Sequence, residues 1–164
     1  LLTEEEVLVV SVILRHDIYY VMKRLRVYGC YKKEKLKTDI SNACNYFMDW
    51  LIPLNNKIEC TVTLKKNLVS RERVYGECCR NGKGSYTIWI DSDLDYDVLL
   101  GTIAHEFVHV KQFELGELRF FTKVNKWKGK SYSDDFNYDK LPWEIDANIL
   151  SVALVNLYRR DISV

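Results

Sequence analysis

The sequence predicts an α+β fold, with a small, mostly antiparallel sheet packed on two long helices and further helices at the N-terminal end. Three observations lead there. Alternating, β-branched segments cluster in the middle of the chain, at Ile58 to Leu64, Arg73 to Cys79 and Tyr86 to Ile90, whereas segments with apolar residues at helical spacing lie on either side of them. Only two prolines, no repeat and no low-complexity tract leave no linker to divide the chain. A length of 164 residues suits one hydrophobic core, so a single domain over residues 1–164 is expected.

Taken in order, the first segment is ambiguous. Thr3 and Glu6 are spaced as a capping box before a helix, but Val7 to Ile13 is β-branched enough to be a strand. From Asp17 to Val27, apolar Ile18, Val21, Met22 and Leu25 recur at helical spacing. Thr38 or Asp39 opens a second helix with Ile40, Ala43, Cys44, Phe47, Trp50 and Leu51 on one face, and Pro53 ends it. The three strand segments follow, with Asn81-Gly82-Lys83-Gly84 as the turn before the third. After a loop from Asp91 to Asp97, a helix over about 96–115 buries Leu99, Ile103, Phe107 and Val110 and stops near Gly116. A Gly-, Lys- and Tyr-rich loop runs through Asp139. Pro142, well suited to the first helical position, opens a last helix to about Arg160.

Composition narrows the function. With 24 basic against 23 acidic residues, interspersed along most of the chain, there is no basic excess for nucleic acid to meet. The Lys32 to Lys37 run reads as a solvated helix start. The acidic opening Leu1 to Glu6 lacks the positive charge and cleavage pattern of an export signal, and the apolar stretch Val7 to Leu14 is too short to span a bilayer. A soluble protein without a membrane partner is expected. Five cysteines without regular spacing, two of them adjacent, fit a reduced, cytoplasmic compartment, and the absence of a Cys-x-x-Cys pair gives a thiolate zinc site little support.

Within the 96–115 helix, His105-Glu106-Phe107-Val108-His109 forms an H-E-x-x-H pattern. Two histidines four apart lie about 40° apart around a helix, one turn above the other, so both imidazoles reach one ion. Glu106 stands beside them, where its carboxylate can take a proton from a metal-bound water. With 3 histidines in the chain, chance would produce this pattern roughly 0.004 times, so His105 and His109 are expected to hold a catalytic Zn2+ with Glu106 as general base. The alternative is a pair of hydrogen-bonded histidines that bind nothing.

A hydrolytic zinc takes three protein ligands and leaves a fourth position for water. An H-E-x-x-H-x-x-G-x-x-H extension is absent, because Gln112 and Leu115 occupy its glycine and third-histidine positions, and His16 lies far upstream. Among the downstream carboxylates, Glu144 and Asp146 sit on a well-signalled helix but about 200° apart around it. Glu144 shares its face with the small residues Ala147, Asn148 and Ser151, which would let this helix approach the motif helix. It is the preferred third ligand, with Asp146 in reserve.

Two strands around a turn, the H-E-x-x-H helix, a long loop containing Trp127-Lys128-Gly129-Lys130, and then Pro142-Trp143-Glu144-Ile145-Asp146-Ala147-Asn148 together resemble the gluzincin branch of zinc metallopeptidases. The likeness is greatest to small, single-domain members of the minigluzincin kind encoded by bacteriophages, and it covers about residues 58–156. The resemblance implies a zincin-like fold, a polypeptide substrate, His105, His109 and Glu144 as metal ligands and Glu106 as general base. A phage-encoded enzyme would act in the host cytoplasm. Asn148 departs from the family pattern, in which many relatives place there an Asp that bonds a ligand histidine; an Asn carbonyl could still accept that N–H, with less gain in basicity.

The expected chemistry is attack of a metal-activated water on an amide carbonyl. Tyr132 and Tyr138, in the loop before Glu144, are candidate donors to the oxyanion, each with an alternative reading as a packing or surface tyrosine. The Tyr86 to Ile90 strand is a candidate edge for an extended substrate, or else an ordinary core strand. Two other functions share the motif: a zinc-binding regulatory module with little turnover, against which Glu106 argues, and a non-peptide zinc hydrolase.

Overall fold

The computed structural model describes residues 23–30, 33–52, 57–133 and 135–163. The ambiguous segment from Thr3 to Ile13, together with His16 and Pro53, lies outside them.

The fold is α+β. Strand β1 (Lys23–Tyr28) leads into helix α1 (Glu34–Leu51), strand β2 (Ile58–Lys65), a short helix α2 (Leu68–Glu72) and the hairpin β3 (Gly76–Gly82) and β4 (Ser85–Asp91). Helix α3 (Tyr96–Glu114), three short strands β5 (Leu118–Phe120), β6 (Val124–Trp127) and β7 (Lys130–Ser133), a 3-10 turn (Tyr138–Lys140) and helix α4 (Pro142–Ile162) complete the described chain.

The main sheet has the order β1-β2-β4-β3 and corrects the expectation of a mostly antiparallel one. Its β1–β2 and β2–β4 ladders are parallel, and only β3–β4 is antiparallel. The connections explain this. An 18-residue helix carries the chain back along β1, so that β2 starts from the same end, whereas Lys83-Gly84 permits only a reversal. Gly84 is required in that turn: its φ is +69°, and a Cβ there would lie 2.3 Å from the Lys57 carbonyl oxygen.

Over Lys23 to Val27, β1 also corrects the helical reading of the 17–27 segment, whose Ile18, Val21 and Met22 lie outside the described residues. Lys23, Leu25 and Val27 turn inward while Arg24, Arg26 and Tyr28 turn outward, a period of two that the wider 17–27 spacing concealed. Of the expected N-terminal helices, α1 is therefore the long one among the described residues. Its apolar stripe, Ile40, Ala43, Cys44, Phe47 and Met48, is fully buried. The buried Lys23 ammonium donates to the Met48 and Ile52 carbonyls at 3.1 and 2.9 Å, which satisfies the last turn of α1.

One face of the sheet is apolar. Ile58, Cys60, Val62 and Leu64 of β2 and Tyr86, Ile88 and Ile90 of β4 are buried, and the residues between them are not. α1 and α3 cover this face, and α3 packs in turn against α4. α3 is consequently buried almost all round, from Leu99 to Phe113. The expected long loop after Gly116 is instead the antiparallel sheet β5-β6-β7, held through the buried Leu118 and Trp127, which face each other in register. Buried Asp91, at the end of β4, accepts from the Val69 and Asp93 N–H groups at 2.7 and 2.9 Å and fixes the turn that launches α3.

Candidate metal centre

The site forms where α3 meets the first turn of α4. His105 and His109 project from successive turns of α3, and Glu144 is the third residue of α4, with Pro142 at the N-terminal position. A carboxylate in the first turn is favoured by the unpaired N–H groups and dipole of the helix N-terminus. Small buried Ala147 and Ser151 line the same face and let the two helices come close.

Three ligand atoms converge. The Nε2 atoms of His105 and His109 are 3.1 Å apart, and Glu144 Oε2 lies 3.3 Å from the first and 3.5 Å from the second. An ion with tetrahedral bonds of about 2.0–2.1 Å, as zinc makes, holds its ligand atoms about 3.3–3.4 Å from one another. The three atoms thus form one triangular face of such a site, and the residues fit the ion. His105, His109 and Glu144 are the one group of this kind among the described residues.

Electrostatics follow from this convergence. Burial works to raise the Glu144 carboxyl, but hydrogen bonds with His105, His109 and Tyr138 outweigh it and hold it well below the usual carboxylate range. Burial also opposes charge on His109, yet the hydrogen bond to Glu144 and the Glu106 charge raise its pKa. For Glu106, burial dominates and pushes the carboxyl up, against the pull of His109 and His105.

Glu106 stands next to the triangle on the wall of a cavity of about 730 Å³. β3 and the residues before it (Arg73 to Gly76), the N-terminal half of α3 and the outer face of α4 enclose this space, with Val74, Val98, Val152 and Val155 as its apolar lining. Gly76 is needed at this wall: a Cβ there would sit 2.7 Å from Thr102 Cγ2 and 3.1 Å from Glu106 Oε1.

The sequence-predicted residues distribute unevenly. His105, Glu106, His109 and Glu144 come together. Tyr138 joins them, its hydroxyl donating to Glu144 Oε2 at 2.8 Å, and it lines the cavity. Tyr132 does not line it; its ring packs edge-on against Trp143 and Phe136 at centroid distances of 5.6 and 5.4 Å. The edge strand beside the cavity is β3; β4 is an interior strand paired on both sides, which is the core-strand alternative of the two readings given for Tyr86 to Ile90.

Asp146 is not a ligand in this arrangement, because it accepts from the Gln112 side chain at 2.9 Å. Asn148 is exposed on the cavity wall, and its side chain bonds neither histidine. Two residues went unread in the sequence: Gly76, whose role depends on a contact between distant elements, and Gln112. The latter had a local signal, since it lies three residues after His109 and therefore on the same side of the helix. No protein family, curated protein or solved structure matches this chain, so its function must be read from the site.

Proposed function

We propose that the chain is a zinc-dependent metallopeptidase of gluzincin type with a zincin-like fold, hydrolysing peptide bonds in a polypeptide substrate. The convergence of two imidazoles and a carboxylate on one tetrahedral face, with a buried Glu beside it, carries this reading. His105, His109 and Glu144 would hold the ion, which supplies a water of lowered pKa and polarises the substrate carbonyl. Glu106 would take a proton from that water and pass it to the leaving amine, a role suited to a carboxyl whose burial raises its pKa above the ordinary carboxylate value. The Tyr138 hydroxyl, which donates to Glu144 Oε2 and lines the cavity, would donate to the oxygen that gains charge.

Among the described residues β3 is paired on one side only, and its other edge, at the cavity, could take an extended peptide as one more strand. Val74, Val98, Val152 and Val155, together with Gly101, provide an apolar bed for side chains. The five cysteines are all free thiols, as suits a reducing cytoplasm as the place of action.

The test is bound zinc per chain, by elemental analysis, in wild type and in His105→Ala, Glu106→Gln and Glu144→Ala, followed by hydrolysis of a mixed peptide pool. About one zinc in wild type and Glu106→Gln, marked loss in the ligand variants, and turnover at least ~10²-fold lower in Glu106→Gln are expected. Wild type that takes up no zinc when supplied with it would refute the proposal.

A further inference from the structure

We infer that Gln112, anchored by Asp146 and Trp143 on α4, is a positioning residue that fixes the tautomer and orientation of His109 and so presents its Nε2 to the metal; this rests on the zinc reading above.

Gln112 is fully buried, where an unpaired amide would be costly. A glutamine side chain has one end that accepts and one that donates, and the two ends look alike until their partners are known. Here the partners decide. One end lies 2.9 Å from the Trp143 carbonyl oxygen and 2.9 Å from Asp146 Oδ2, groups that only accept, so this end is the NH2. The other end is therefore the carbonyl, and it lies 2.9 Å from His109 Nδ1. A carbonyl oxygen only accepts, so Nδ1 carries a proton. In the neutral imidazole that leaves the lone pair on Nε2, the atom that forms the metal triangle with His105 and Glu144.

Two of these three bonds, to Trp143 and Asp146, cross from α3 to α4. They tie the helix bearing His109 to the first turn bearing Glu144, so one side chain sets both the ring and the spacing between two ligands. Carboxylate and carbonyl groups usually serve this role toward metal-bound histidines, and their loss typically weakens metal binding about 10–100-fold. Here an amide transmits the orientation, and the carboxylate behind it, Asp146, holds the amide rather than the ring.

The decisive measurement is the tautomer of His109, read from long-range 1H–15N correlations of the imidazole in the metal-free protein at a pH where the ring is neutral. Protonated Nδ1 is expected in wild type, and protonated Nε2 would overturn the inference without any variant and without zinc. Gln112→Met keeps the volume but cannot accept, and it is expected to mix the tautomers and raise the zinc dissociation constant about 10–100-fold, measured by competition with a chelator. Asp146→Asn still offers an oxygen to the Gln112 amide and should stay within about threefold of wild type. Gln112→Met with an unchanged tautomer and zinc affinity would also overturn it. Wild type that shows the expected tautomer but takes up no zinc would instead refute the metallopeptidase proposal and leave the Gln112 geometry standing.

Discussion

Gly76→Ala probes the packing that holds Glu106, the proposed general base. The added methyl would lie 2.7 Å from Thr102 Cγ2, 2.9 Å from Ile90 Cδ1 and 3.1 Å from Glu106 Oε1. Carbon atoms in contact rest about 3.5–4.0 Å apart, so the first two distances fall short by roughly 0.6–0.8 Å and the neighbours must move. Ile90 is fully buried in β4 and Thr102 belongs to α3, which leaves β3 and the Glu106 side chain to give way. Overpacking of this kind costs about 1–3 kcal/mol, or a fall of about 2–12 °C in Tm for a chain of this size. A displacement of Glu106 approaching 1 Å should lower kcat about 10–100-fold. Zinc content should not change, because none of the three ligands meets the methyl. Thr102→Ser removes the tightest contact while keeping the hydroxyl that donates to the Val98 carbonyl at 2.8 Å, so the double variant should recover part of both losses. Thermal unfolding, zinc analysis and turnover on a peptide pool measure the three effects. A Gly76→Ala protein with wild-type Tm and wild-type turnover would refute the view that β3 and α3 are in rigid contact at Glu106.

Tyr138→Phe removes the hydroxyl that reaches Glu144 Oε2 and should lower kcat about 10²-fold with KM and zinc content little changed; an unaltered kcat would remove Tyr138 from the chemistry. Cys60 tests the core instead of the site. Burial pushes its thiol up to about 12 from 9.0, so the folded protein keeps the proton that the unfolded chain gives up. Its contribution to stability is therefore complete below pH 9 and is lost as pH rises from 9 to about 12, by up to about 4 kcal/mol. Urea unfolding of Cys60→Ala across that range should show a shallower alkaline decline than wild type, and parallel declines would contradict the assignment.

What could be read in the sequence was the part encoded locally. α3 and α4 announce themselves by helical spacing, by Gly116 after one and by Pro142 at the start of the other, and the metal group rides on those two helices. Glu144 could be preferred over Asp146 because its neighbours one and two turns on, Ala147 and Ser151, are small, and both are buried against α3. The sheet was harder. Whether β1 and β2 run parallel depends on what joins them, and a six-residue strand with charged residues at alternate positions carries too few apolar side chains to outweigh a competing helical pattern. β5, β6 and β7 are three or four residues each, too short to show alternation, and they are held by Leu118 and Trp127 rather than by a continuous apolar face.

The two readings of Asp146 show why the site extends beyond its motif. As a chain position, Asp146 was a spare carboxylate near Glu144, and its separation of about 200° from Glu144 around the helix excluded only that both face the ion. In the fold, that angle carries it to the other side of the contact between α3 and α4, where it holds the amide of Gln112. One carboxylate of α4 thus meets the two imidazoles directly, and the other reaches His109 through Gln112. An H-E-x-x-H pattern on an isolated helix would leave both rings free to rotate and would lack a third ligand. Docking of the first turn of α4 supplies the third ligand and the orientation of one ring in a single step, so metal affinity should follow the stability of the α3–α4 contact as closely as it follows the ligands themselves.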